Sequence, residues 1–194
     1  MGIHKSCYLL RIYCCFNRKL YRVKSFGDTL LMEAESPDGE DGFPGNLKIA
    51  VRYTLTEDNA FRMDYRVSSD ADTIVNLTNH SYFNLDGGGD VLNQKLRIYA
   101  SRYLEGNNTT CPTGNILPVA NTPMDFTAGK LIGKEIDTGF SQTTMVGGGY
   151  DHCYVIDRAR GSSQSICAWA TSDKTGISMK LYTCLLYTSP SPRD

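Results

Sequence analysis

Two runs of strict alternation do most to limit what this chain can fold into. Leu47, Ile49, Val51, Tyr53 and Leu55 alternate with Lys48, Ala50, Arg52, Thr54 and Thr56, and Phe61, Met63, Tyr65 and Val67 alternate with Arg62, Asp64, Arg66 and Ser68. A period of two sends successive side chains to opposite faces, so each run reads as a strand with one apolar and one wetted face. Glu57-Asp58-Asn59-Ala60 joins them, and the spacing predicts an antiparallel hairpin. Leu96, Ile98 and Ala100 repeat the pattern, and the runs 166–170 and 177–183 flank Ser172-Asp173-Lys174-Thr175-Gly176 as a second hairpin. No stretch shows a convincing amphipathic helical period. The expected class is therefore all-β, and 194 residues with 41% hydrophobic and 21% charged side chains suffice for one sizeable domain.

A third run, Thr73 to Leu85, follows the first hairpin and is predicted to continue it as a meander. One face would carry Ile74, Asn76, Thr78, His80, Tyr82 and Asn84, and the other Val75, Leu77, Asn79, Ser81, Phe83 and Leu85. Amides, hydroxyls and a phenol both donate and accept hydrogen bonds, which suits a hydroxyl-rich ligand. His80 adds a group that titrates near neutrality and can give or take a proton. Taken alone it reads equally as a strand histidine bonded to a neighbour, and the residues leave both readings open.

The ten residues Asn76-Leu77-Thr78-Asn79-His80-Ser81-Tyr82-Phe83-Asn84-Leu85 resemble the signature of the aldose 1-epimerases, the galactose mutarotases. The resemblance implies a large, twisted antiparallel β-sandwich and a cofactor-free, metal-free reaction on galactose or glucose. It gives His80 the role of the acid that protonates the ring oxygen, with Asn79 and Tyr82 beside it as substrate-binding groups. A second stretch, Gly147-Gly148-Gly149-Tyr150-Asp151-His152-Cys153-Tyr154-Val155-Ile156, places Asp151 at the expected start of a strand. By itself Asp151 reads as a turn cap, but the family's matching motif carries a sugar-binding aspartate there. His152 would point to the opposite side, and Cys153 stands where relatives commonly carry Asn. The rival reading is a non-catalytic carbohydrate-binding β-sandwich that keeps His80 and Asp151 as ligands.

The resemblance spans residues 29–183. In the family the catalytic base is a glutamate downstream of the matching region, and a second substrate histidine and an Asn-Arg pair lie upstream. The sequence is thus expected to be an internal piece of a longer enzyme, with little activity alone. Residues 1–28 do not resemble the family. Residues 184–194, Cys184-Leu185-Leu186-Tyr187-Thr188-Ser189-Pro190-Ser191-Pro192-Arg193-Asp194, resemble the translation of a transposase-type sequencing adapter and are read as a read-through tail.

Charge and cysteine usage limit the partners. Residues 1–27 hold six basic side chains and no acid, which leaves 14 basic and 21 acidic for the remainder, a balance of −7. No basic stripe remains on that body, which argues against nucleic acid. Cys7 to Phe16 is apolar but short and broken by Arg11, and supports neither a membrane span nor a signal peptide. Seven cysteines at irregular spacings read as free thiols, and the expected location is cytoplasmic. The Asp38, Glu40 and Asp41 loop lacks EF-hand spacing and reads as a solvated turn. Asp86-Gly87-Gly88-Gly89-Asp90 reads as a flexible turn rather than a phosphate loop, and Trp169 as a core residue of its hairpin.

Overall fold

The computed structural model describes residues 16–79, 81–158 and 164–184. It divides into two compact units, residues 1–78 and 79–194.

In the first unit the alternating runs form the strands expected of them. β1 (Arg22–Phe26), β2 (Thr29–Ser36), β3 (Leu47–Leu55) and β4 (Phe61–Ser69) make a four-stranded antiparallel sheet in sequence order. The hairpin register pairs Leu47 with Ser69, Val51 with Tyr65 and Leu55 with Phe61. Leu47, Ile49 and Val51 are buried on one face, and Phe16, Tyr53, Val67 and Leu77 pack against them. Tyr53 stacks on Phe61 with ring centroids 5.6 Å apart, a cross-strand aromatic pair at the turn end of the hairpin. β1 lies within residues 1–28, so part of that segment is a strand of this sheet.

The loop between β2 and β3 is tied by its own acids. Asp38 Oδ1 accepts from Gly45 N at 2.6 Å, and Asn46 donates through its backbone and side chain to the Asp70 carboxylate at 2.6 and 2.8 Å. Glu40 takes Lys19 Nζ at 2.7 Å and the Ser36 hydroxyl. Gly45 is required here: its φ is +86°, and a Cβ would lie 2.4 Å from Ser69 Oγ.

The second unit holds two sheets around one core. β5 (Lys95–Ile98), β8 (Lys130–Leu131), β10 (Ser165–Thr171) and β11 (Ser178–Thr183) are ordered β11-β10-β5-β8, and β6 (Arg102–Gly106), β7 (Pro112–Pro118) and β9 (Tyr154–Val155) are ordered β7-β6-β9. Every pairing is antiparallel. The expected second hairpin is β10–β11, paired from Ser165↔Thr183 to Thr171↔Ser178 with a bulge between Ile166 and Ala168. Ala100, Tyr103, Val119, Met124, Phe126, Tyr154, Ile156 and Cys167 form the buried core. Three of these come from the irregular connection after β7, where no periodicity announces burial. Trp169 is half-buried on β10, partly covered rather than enclosed.

One short α-helix, α1 (Ser141–Met145), occurs among the described residues. At five residues it is a little over one turn, too short to write a 3.6 period into the sequence. No helix among the described residues is long and apolar enough to cross a membrane. Cys111, Cys167 and Cys184 are free thiols, and burial pushes the Cys167 thiol up to about 11.

Candidate functional site

The run from Thr73 to Leu85 departs from expectation. Residues 73–79 and 81–85 belong to no strand, so the predicted third strand of the meander is absent. The cause lies in the asparagines, whose short amide side chains can satisfy backbone donors that a neighbouring strand would otherwise take. Asn79 Oδ1 accepts from Ser81 N at 2.9 Å, and Asn84 Oδ1 accepts from Asp86 N at 3.0 Å. Leu85 N donates to Gln94 Oε1 at 3.3 Å. The alternation of faces survives only in part. Leu77 packs on the first unit's core, whereas Ile74 is 73% and Phe83 51% exposed.

The candidate residues fall on two segments of the second unit. Asn79 is half-buried, and Tyr82 is 86% exposed on the same extended segment. His80 lies outside the described residues. Asp151 sits on the approach to β9, three residues before Tyr154 and not on the strand itself as its sequence context suggests. Its side chain is exposed and takes no hydrogen bond or ion pair among the described residues. No hydrogen bond among the described residues joins Asp151 to Asn79 or Tyr82.

His152 is half-buried beside the exposed Asp151 and is held from within. Gln142, 6% exposed on α1, accepts Gly106 N on Oε1 at 2.8 Å, and the same oxygen lies 3.2 Å from His152 Nε2. An amide oxygen can only accept, so Nε2 carries the proton and Nδ1 is an acceptor; Nδ1 is buried without a partner. The ring stands edge-on to Tyr103 at 5.7 Å. Burial lowers the His152 pKa below its ordinary 6.5, opposed by the nearby Asp151 charge. Nothing in the sequence pairs Gln142 with Gly106 and His152, which lie on three separate elements.

This burial has a measurable consequence. Because His152 is harder to protonate folded than unfolded, its contribution to stability is complete above pH 6.5. It is lost as the pH falls from there toward the lowered folded value. The expected result is a urea midpoint that drops across that window and drops less in His152→Asn. Equal slopes in the two proteins would count against a buried neutral imidazole.

Among the described residues no three His, Cys, Asp or Glu side chains converge as metal ligands. The family model for aldose 1-epimerases matches residues 16–189. The chain belongs to the aldose 1-epimerase family. The match begins at residue 16, upstream of the stretch from 29 in which the sequence motifs are legible.

Similar aldose 1-epimerase family proteins include the aldose 1-epimerase of Haemophilus influenzae, 36% identical over 172 residues, with 87% of this chain and 49% of that protein covered. The galactose mutarotase of Rattus norvegicus is 33% identical over 170 residues, covering 87% of this chain and 47% of the relative. The crystal structure of galactose 1-epimerase from Lactobacillus acidophilus superposes with a TM-score of 0.71 at 28% identity, covering 81% of this chain and 46% of that one. The fold is thus the all-β fold of the galactose mutarotases, and the chain spans about half the length of these relatives.

Proposed function

We propose that these 194 residues supply the acid and substrate-binding side of a mutarotation site for galactose or glucose. Mutarotation needs a base to take the proton of the C1 hydroxyl and an acid to protonate the ring oxygen. The C1–O5 bond then breaks, the C1 aldehyde rotates, and the ring recloses with the proton transfers reversed. His80 is the acid, and Asn79 and Tyr82 beside it meet sugar hydroxyls. Asp151 accepts from further hydroxyls and so fixes the sugar's orientation. The base corresponds to the family's downstream glutamate, which these residues do not contribute.

The observation that carries this reading is Asp151. Asp151 is an exposed carboxylate with no hydrogen bond or ion pair among the described residues, and it stands in a stretch that resembles the family's sugar-binding motif. Hydrogen bonds to a charged group contribute about 1.5–3 kcal/mol each. Asp151→Ala should therefore weaken galactose binding by about tenfold or more, and His80→Ala should weaken it less. Calorimetric or NMR titration with galactose checks this. Binding by Asp151→Ala equal to that of the unchanged chain would remove Asp151 from the site.

A further inference from the structure

Gln94 and Ser172 are 2% and 1% exposed, among the most buried polar side chains described, and neither belongs to the motifs that mark the sugar site. Both stand at the same end of one ladder. β10 pairs with β5 through Thr171↔Lys95, so Gln94 and Ser172 are the residues just beyond that last pair.

From there both reach the end of the Asn76–Leu85 motif. Gln94 Nε2 donates to Asn84 Oδ1 at 2.8 Å while its Oε1 accepts from Leu85 N at 3.3 Å. The Ser172 hydroxyl donates to Asp86 Oδ1, and Ser172 Oγ in turn accepts from Thr175 N at 3.1 Å. Thr175 Oγ1 completes the ring of contacts by donating to Leu85 O at 2.8 Å. Buried polar groups are costly unless paired, and here Gln94 finds its partners on the motif and Ser172 on Asp86, the residue just after it. Residues 84–86 thus have no ladder of their own and are held instead by side chains from the end of the β5–β10 pair and the β10–β11 turn.

We propose that Asp86, Gln94, Ser172 and Thr175 are positioning residues that set the placement of the motif's sugar-facing groups, Tyr82 above all. This rests on the reading of the motif as a sugar site. The network joins residues 86 to 90 positions apart in sequence, so motif and turn are placed by one contact set.

The test uses the full chain and two variants, Asp86→Ala, which removes the acceptor for Ser172, and Asp86→Asn, which keeps one. Amide hydrogen exchange is read at Leu85 and Asp86, at strands β5 and β10, and galactose is then titrated while the Asn79 and Tyr82 side-chain NMR signals are followed. In Asp86→Ala the Leu85 and Asp86 amides should exchange about tenfold faster or more while β5 and β10 stay as they were, and galactose should bind about tenfold more weakly. Asp86→Asn should restore both toward the unchanged chain. Unaltered exchange at Leu85 and Asp86, or a parallel loss of protection in β5 and β10, overturns the proposal, the second because the contacts would then serve the fold at large. Galactose that shifts no signal at Asn79 or Tyr82 in the unchanged chain overturns the sugar-site reading and the positioning role with it. Faster exchange at Leu85 and Asp86 would in that case mark a contact of the fold only.

Discussion

Phe126→Ala should lower the unfolding free energy by about 3–5 kcal/mol, the usual cost of emptying a phenylalanine site in a closed core. The ring is 1% exposed, stands edge-on to Tyr150 at 5.0 Å, and has Lys130 Nζ 4.6 Å above its face. Its surroundings are not free to collapse. Lys130 is held by Pro123 O at 2.7 Å and by Glu135, and Tyr154, whose phenol is pushed up by burial, donates to Met124 O at 3.1 Å. The loss is therefore transfer energy plus a cavity that persists. It also reaches the candidate site, because Tyr150 leads directly into Asp151. Trp169 on β10 is the chain's single tryptophan and reports unfolding of this unit. A urea titration at constant m-value gives the difference, and Ile116→Ala, at a side chain 43% exposed, should cost about 1 kcal/mol or less. Equal midpoints for the two variants would mean that the second unit is not built on this core.

Phe126 also shows where sequence reasoning reaches its limit. β3, β4, β5 and β11 were legible because apolar and polar side chains alternate along them, which writes a period of two, and β10 because it is an apolar run set off by the turn at residues 172–176. Val119, Met124 and Phe126 lie in the irregular connection after β7, which carries Pro123, and follow no period, so their burial is decided by tertiary packing alone. Thr73 to Leu85 failed in the opposite direction. It carries the alternation of a strand, but the asparagines at 79 and 84 spend their side chains on backbone donors. The candidate residues themselves stand in motifs that are legible in the sequence. Their surroundings are not, since the hydrogen bonds of Ser172 to Asp86 and of Gln142 to Gly106 depend on a fold that brings together residues far apart in sequence.

The second large effect concerns the rate. On the proposed reading, which puts the acid at His80, a binding carboxylate at Asp151 and the base outside these residues, the 194 residues should accelerate mutarotation far less than a protein that holds both proton-transfer groups. A positioned general acid or base contributes about 10²–10⁴-fold, and without the base the C1 hydroxyl must lose its proton to water. Binding and turnover are separable on this reading, because the groups proposed to hold the sugar lie within these residues and the proposed base does not. Whatever small acceleration remains should fall further in His80→Ala, which removes the proposed acid.

The most direct measurement is the optical rotation of freshly dissolved α-galactose, followed with the purified chain and with its His80→Ala variant. The account predicts that both curves stay close to the spontaneous one, with the same sample binding galactose by titration. Rapid equilibration by the unchanged chain, abolished in His80→Ala, would contradict it and show that these residues contain a base of their own.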